Sequence, residues 1–265
     1  MRVRQPAVAG TFYAAEPDEL GRQLDASFAD ARAHGDSDTT AAPKAIIVPH
    51  AGYIYSGPIA ATGYRWLAAA RDRITTVVLL GPSHRVPLRG LALPDVDAMA
   101  TPLGLVPINA AGRDIVLQLP QVSVADAPHG VEHSLEVHLP FLQRALREFS
   151  VLPLVVGRAS AEEVAEVIDA VWGGDETLIV VSTDLSHYHD HATAVKLDRA
   201  TADAVEAGDP DRIDDMDACG AYPLRGLLVA AAGHGLRADT VDLRTSGETA
   251  GDRERVVGYG AFVLH

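Results

Sequence analysis

The chain has 265 residues, enough for one large α/β domain, and 48% of them are hydrophobic but only 5% aromatic, so Val, Leu, Ile and Ala have to fill its core. A formal net charge of −14 excludes a nucleic-acid partner, which needs clustered cations against its phosphates, and points to neutral or cationic partners or to metals. One cysteine, Cys219, excludes an internal disulfide, no apolar run approaches the roughly 18 residues of a membrane span, and the opening MRVRQPAVAG lacks a signal-peptide core, so a cytoplasmic protein is expected.

In chain order, a first helix is predicted over 16–33 and a surface loop over HGDSDTTAAP, 34–43. KAIIV, 44–48, is a short apolar strand, and 58–70 is predicted as a helix opened by Ser56 near its N-cap. TTVVLL, 75–80, is a second buried strand, and the proline-broken segment 90–108 reads as short edge strands or a hairpin. Asn109 caps a helix to about residue 119. Helical spacing over 133–149 puts Leu135, Leu139, Leu142 and Leu146 on one face. A third strand follows at 150–156, then a helix to 171 opened by a capping box of Ser160 and Glu163. The fourth strand is 177–181, helices are predicted over 190–207 and 222–232, and VVGYGAFVL, 256–264, closes the chain as a strand. Continuous apolar strands separated by helices predict a single α/β domain spanning 1–265. Its mixed sheet is mostly parallel, covered by helices on both faces, with an antiparallel element or two at the edge.

Three of these strands end in groups that bind protons or metals. The first runs into PHAGYIYSG and delivers His50, the second into GPSHR and delivers His84, and the fourth into STDLSHYH and delivers Asp184 and His187. Ligands of open α/β sheets bind beyond the carboxyl ends of the strands, where the loops converge. A lone loop histidine usually does no more than satisfy a hydrogen bond. Three at equivalent strand ends, set among turn-forming Gly and Pro, predict one shared crevice and favour a metal held by neutral imidazoles.

VEHSLEVHLPF, 131–141, is not an HExxH zinc motif; His133 and Glu136 are three apart and share a helical face, so both are candidates for the crevice rim or for turn capping. Cys219, in DACGAYPLRG just ahead of a helix, is a small buried hydrophobe or else a thiolate favoured by the helix dipole. His189 and His191 read as ordinary loop-end residues. Neither GxGxxG, nor GxxxxGK[ST], nor GxSxG occurs, which argues against a nucleotide cofactor and an activated serine.

PHAGYIYSG, GPSH, EHSLEVHLPF, STDLSHY and the CG of DACG occur in the order seen in the MEMO family, AmmeMemoRadiSam system protein B, which the chain resembles from VAGTFYAAEP to its last strand. The resemblance implies the fold of the class III extradiol, LigB-like non-haem iron dioxygenases. It implies a metal at His50, His84 and Cys219, with Asp184 and His187 beside it as acid–base residues, and iron or copper as the metal, zinc being a further option. Cysteine in place of the extradiol carboxylate argues for different redox chemistry from ring cleavage. On this reading the protein is a metal-dependent redox enzyme acting on a small molecule or O₂, with His133 and Glu136 contacting substrate. Alternatives are a peptide-binding or protein-binding module without turnover, and a zinc hydrolase with His187 as general base. The family also implies a functional link to a radical-SAM protein.

Overall fold

The four apolar runs expected as strands lie side by side in the computed structural model, which describes residues 1–33 and 42–265. The first half of the chain forms β1 (Val3–Arg4), α1 (Pro17–Ala33), β2 (Ala45–Val48), α2 (Tyr53–Arg65), β3 (Thr76–Pro82), β4 (Leu91–Leu93), β5 (Ala98–Thr101), β6 (Gly104–Pro107), α3 (Ala110–Val116), β7 (Val122–Val124) and α4 (Ala127–Gly130). There follow α5 (His138–Ala145), β8 (Ser150–Val156), α6 (Ala161–Ala170), β9 (Thr177–Ser182), β10 (His187–His189), α7 (His191–Glu206), α8 (Ala221–Gly233), β11 (Ala238–Thr245) and β12 (Val256–Leu264). Most of the predicted loop 34–43 falls outside the described residues.

The main sheet has the order β10-β12-β2-β9-β3-β8-β4-β7, with β11 on β12. Its centre, β2-β9-β3-β8, is parallel, and β12 and β4 pair antiparallel on its two flanks. Alternation along the central strands divides the core in two. In β2, Ala45 and Ile47 face a cluster supplied by α6, α7 and α8, while Ile46 and Val48 face one supplied by α1, α2 and α5. The sheet is therefore mixed, mostly parallel at its centre and covered on both faces, as the sequence predicts. Among the described residues no helix is long and apolar enough to cross a membrane.

Short elements β1, β7, α4 and β10 are not predicted from the sequence, and three longer ones differ from expectation. α2 begins at Tyr53 and not at Pro58, which stands in its second turn; the proline's preference for a first helical turn drew the predicted start too far along the chain. The predicted helix 133–149 shrinks to α5, because the Glu132 carboxylate takes the backbone N–H groups of His133 and Ser134 and holds that stretch in a turn. Its four leucines are buried all the same. β11 had no counterpart in the prediction, because ADTVDLRT mixes polar and apolar residues and is only half-buried.

Glu136 is a structural tie and not a rim residue. Its carboxylate is fully buried and meets Arg4 Nη1 at 2.7 Å, the Tyr13 hydroxyl at 2.7 Å, and the N–H groups of Ala7 and Val8 at 2.7 and 2.9 Å. Arg4 in turn donates to the carbonyls of His129 and Glu132. The N-terminal segment is thus clamped onto the loop that leads into α5. Removing one partner strands the other charge in the core, so Arg4→Ala is expected to lower unfolding free energy by about 3–5 kcal/mol in a urea titration.

Buried histidines add a pH dependence. His129 Nε2 donates to the Ala92 carbonyl at 2.8 Å, and burial pulls its pKa down from 6.5 to about 4. The unfolded chain therefore takes up a proton below about pH 6.5 that the folded chain refuses until about pH 4. The stability this group confers is present above pH 6.5 and lost as pH falls through that window. Unfolding free energy measured from pH 7 to 4 is expected to fall less steeply in His129→Gln than in the parent, by up to about 1.4 kcal/mol per pH unit.

Candidate metal centre

β2, β9 and β3 are neighbours and run in the same direction, with Val48 in register with Ser182 and Leu80 with Val181. Residues that follow their carboxyl ends are consequently brought together: His50 after β2, Asp184 and His187 after β9, and His84 after β3. A cleft of about 640 Å³ opens there, within the range of small-molecule sites. Of the seven candidates, His50, His84, His133, Asp184, His187 and Cys219 line it. Glu136 does not.

Three imidazoles form its floor. His84 and His133 stack with ring centroids 4.7 Å apart, and His50 meets both edge-on at 5.1 and 5.3 Å. Each offers a nitrogen within 4.8 Å of the others, and among the described residues this is the set of His, Cys, Asp or Glu groups close enough to share an ion. The expected third donor, Cys219, lies outside the set, and His133 takes its place.

Hydrogen bonds assign the protons on these rings. The Ser182 hydroxyl donates its single proton to the Ser134 carbonyl at 2.6 Å, so its oxygen accepts from both His50 Nδ1 at 2.6 Å and His138 Nε2 at 2.8 Å. His138 Nδ1 then accepts from the Tyr64 hydroxyl at 3.0 Å. His50 is left with an unprotonated Nε2, the form that binds metal. His84 Nδ1 donates to Glu132 Oε1 at 2.9 Å, and His133 Nδ1 lies 3.2 Å from the same carboxylate oxygen. Burial opposes ionisation of Glu132, but the bonds from His84 and the backbone prevail and bring its pKa down to about 2. Burial, aided by the neighbouring imidazoles, holds His50 well below 6.5, and burial brings His133 down to about 4. His50 and His133 are therefore neutral at pH 7, as metal ligands must be.

Cys219 lies beside the three imidazoles. Its Sγ lies 3.2 Å from His50 Nε2 and accepts the Asp184 backbone N–H, also at 3.2 Å. Burial and the charge of Asp184 raise its pKa, so the group is a thiol and not the thiolate that a helix dipole would favour. It stands two residues before α8, outside the first turn where the dipole acts. Gly220 lets this loop close onto the end of β9: a Cβ there would stand 2.5 Å from the Ser182 carbonyl oxygen. Asp184 Oδ1 accepts the His50 N–H at 2.7 Å, and burial raises its pKa. His187 Nδ1 donates to the Leu185 carbonyl at 2.7 Å. His191 bonds Thr245, and neither it nor His189 lines the cleft.

Sequence reasoning missed Glu132, Ser182 and His138. EHS and STD both lie inside stretches that drew attention, but a carboxylate or hydroxyl that serves a histidine 48 or 132 residues away leaves no local spacing to read.

Comparison with known proteins identifies the family. A family profile described as "Memo-like protein" matches residues 4–263. A MEMO1 family protein of Aquifex aeolicus is 37% identical over 275 residues, covering 100% of both chains. MEMO1 family proteins of Thermotoga maritima and Methanopyrus kandleri are 35% and 34% identical, covering 98% of this chain and 99% and 98% of theirs. Among solved structures, the uncharacterized protein JW3007 of Escherichia coli K12 superposes with a TM-score of 0.55 at 13% identity, over 83% of this chain and 98% of that one. That likeness carries the fold alone, and it is consistent with the LigB-like relationship the motifs imply. With a profile and full-length relatives in agreement, the chain belongs to the Memo-like family.

Proposed function

We propose that His50, His84 and His133 hold a redox-active metal, iron or copper, and that the chain is a metal-dependent oxidoreductase acting on a small molecule or O₂. The observation that carries this reading is the convergence of three imidazoles, with the Nε2 of His50 left unprotonated by its Ser182 bond, in one open cleft. Imidazole sets of this kind suit iron, copper and zinc. A bound ion would supply Lewis-acid and electron-transfer chemistry at the positions the protein leaves open. The chain's own residues orient the ligands and move protons. Glu132 and Ser182 fix the imidazole tautomers, and His187 Nε2 is placed to accept a proton from a molecule in the cleft. Asp184 anchors the backbone of His50.

The same donor set supports a zinc hydrolase, in which zinc held by these imidazoles would supply Lewis-acid chemistry and His187 would serve as general base. Metal analysis of protein purified without added metal, followed by anaerobic reconstitution with iron(II), copper and zinc, separates the readings. Near-stoichiometric iron or copper with oxygen consumption supports the first, and zinc with hydrolytic turnover the second. Absence of tight binding by any of the three ions rejects both, and leaves a binding module. Within either metal reading, His84→Ala and His133→Ala are expected to abolish uptake, whereas Cys219→Ala retains it. Ser182→Ala and Glu132→Gln are expected to weaken binding of the same ion by about 10–100-fold in a competition titration while the fold stays intact by circular dichroism.

A further inference from the structure

The net charge of −14 leads one to expect neutral or cationic partners, but the cleft runs against that field. Arg85 follows His84 beyond the end of β3, and Arg255 directly precedes β12. β2 and β9 lie between these two strands, so the arginines come to the cleft from strands on either side of the one that carries His50. Both are exposed and, among the described residues, neither forms an ion pair. Two acids share the cleft. Asp184 is buried beneath it, and the Oδ1 of Asp252 already accepts the N–H groups of Glu254 and Arg255 at 2.9 and 3.3 Å.

Tyr188 adds a second observation. It is the non-glycine residue with positive φ among those described, at 64°, a conformation that costs an aromatic residue about 1 kcal/mol or more. Its ring is 64% exposed all the same. The ring lies 5.1 Å from the Arg255 guanidinium and edge-on to His187 at 5.7 Å. The strained backbone thus holds a flat aromatic face at the cleft wall with a guanidinium against it. Tyr55 and Phe12 supply further aromatic surface to the same cleft.

We infer that the cleft takes a small planar anion: its oxyanion, a carboxylate or phosphonate-like group, is held by Arg85 and Arg255 while its ring packs on Tyr188. A guanidinium fork matches such oxyanions geometrically, and cation–π contact with Tyr188 keeps Arg255 at the mouth. This names the ligand class for the proposed metal centre, and rests on that reading only for where the reactive end of the ligand lies.

The probes are benzoate and phenylphosphonate, with benzamide as the neutral shape match for benzoate, titrated calorimetrically at millimolar concentrations into the full chain both stripped of metal by chelation and loaded with zinc. At least one anion is expected to bind ten times or more tighter than benzamide in both forms. Arg85→Met and Arg255→Met are each expected to weaken it about tenfold without changing zinc content, and Tyr188→Ala to weaken it through loss of the ring contact. Equal binding of benzoate and benzamide, binding of neither anion, or anion binding unchanged in the double arginine variant would each overturn the inference. Failure to hold zinc counts against the metal centre alone, because the comparison in chelated protein does not depend on it.

Discussion

Everything at the candidate centre depends on hydrogen-bonded register among three parallel strands, β2, β9 and β3. Because they are adjacent and point the same way, residues 50, 84, 184 and 187, separated by up to 137 positions in the chain, leave the sheet at one edge. A parallel sheet can be built only with crossover connections, and here those carry the helices that bury both faces. The site is therefore on a rigid platform. Its supporting hydrogen bonds are made by strand-end and loop residues whose backbone the sheet already holds, which limits the conformational entropy lost when a ligand orders them.

Charge at the centre is managed by burial more than by pairing. His50, His133 and His138 are kept neutral chiefly by desolvation, and the Ser182 hydroxyl, with a single proton and two acceptor sites, directs the protons of His50 and His138. One carboxylate, Glu132, accepts from His84 and from two backbone N–H groups in the turn that carries His133. It both shapes that turn and orients ligand rings. The same residue therefore explains a local departure from helix and a feature of the site.

Glu132 and Glu136 show where reading a sequence stops. Both lie in EHSLEVH, four residues apart, with the same chemistry and similar surroundings in the chain. Glu136 meets Arg4 and the N-terminal segment, more than a hundred residues upstream, while Glu132 meets the imidazole delivered by β3. Helical periodicity favours Glu136 as the partner of His133, and that periodicity is absent from the turn they occupy. Cys219 makes a similar point. Its position ahead of α8 argues for a thiolate, but the depth of the loop beneath it and the Asp184 carboxylate keep the proton on sulfur.

From the sequence alone came the fold class, most element positions, the convergence of His50, His84 and His187 at strand ends, and the family. Those properties follow from runs of buried apolar residues and from motifs read locally, and the strand-end rule turns the order of elements into a location. Tertiary structure alone decided that His133 joins His50 and His84 in one cluster, that Ser182 and Glu132 bond their rings, and that Arg85 and Arg255 line the same cleft. Those depend on distances of a few ångströms between side chains on different elements, and packing sets such distances while spacing along one chain does not.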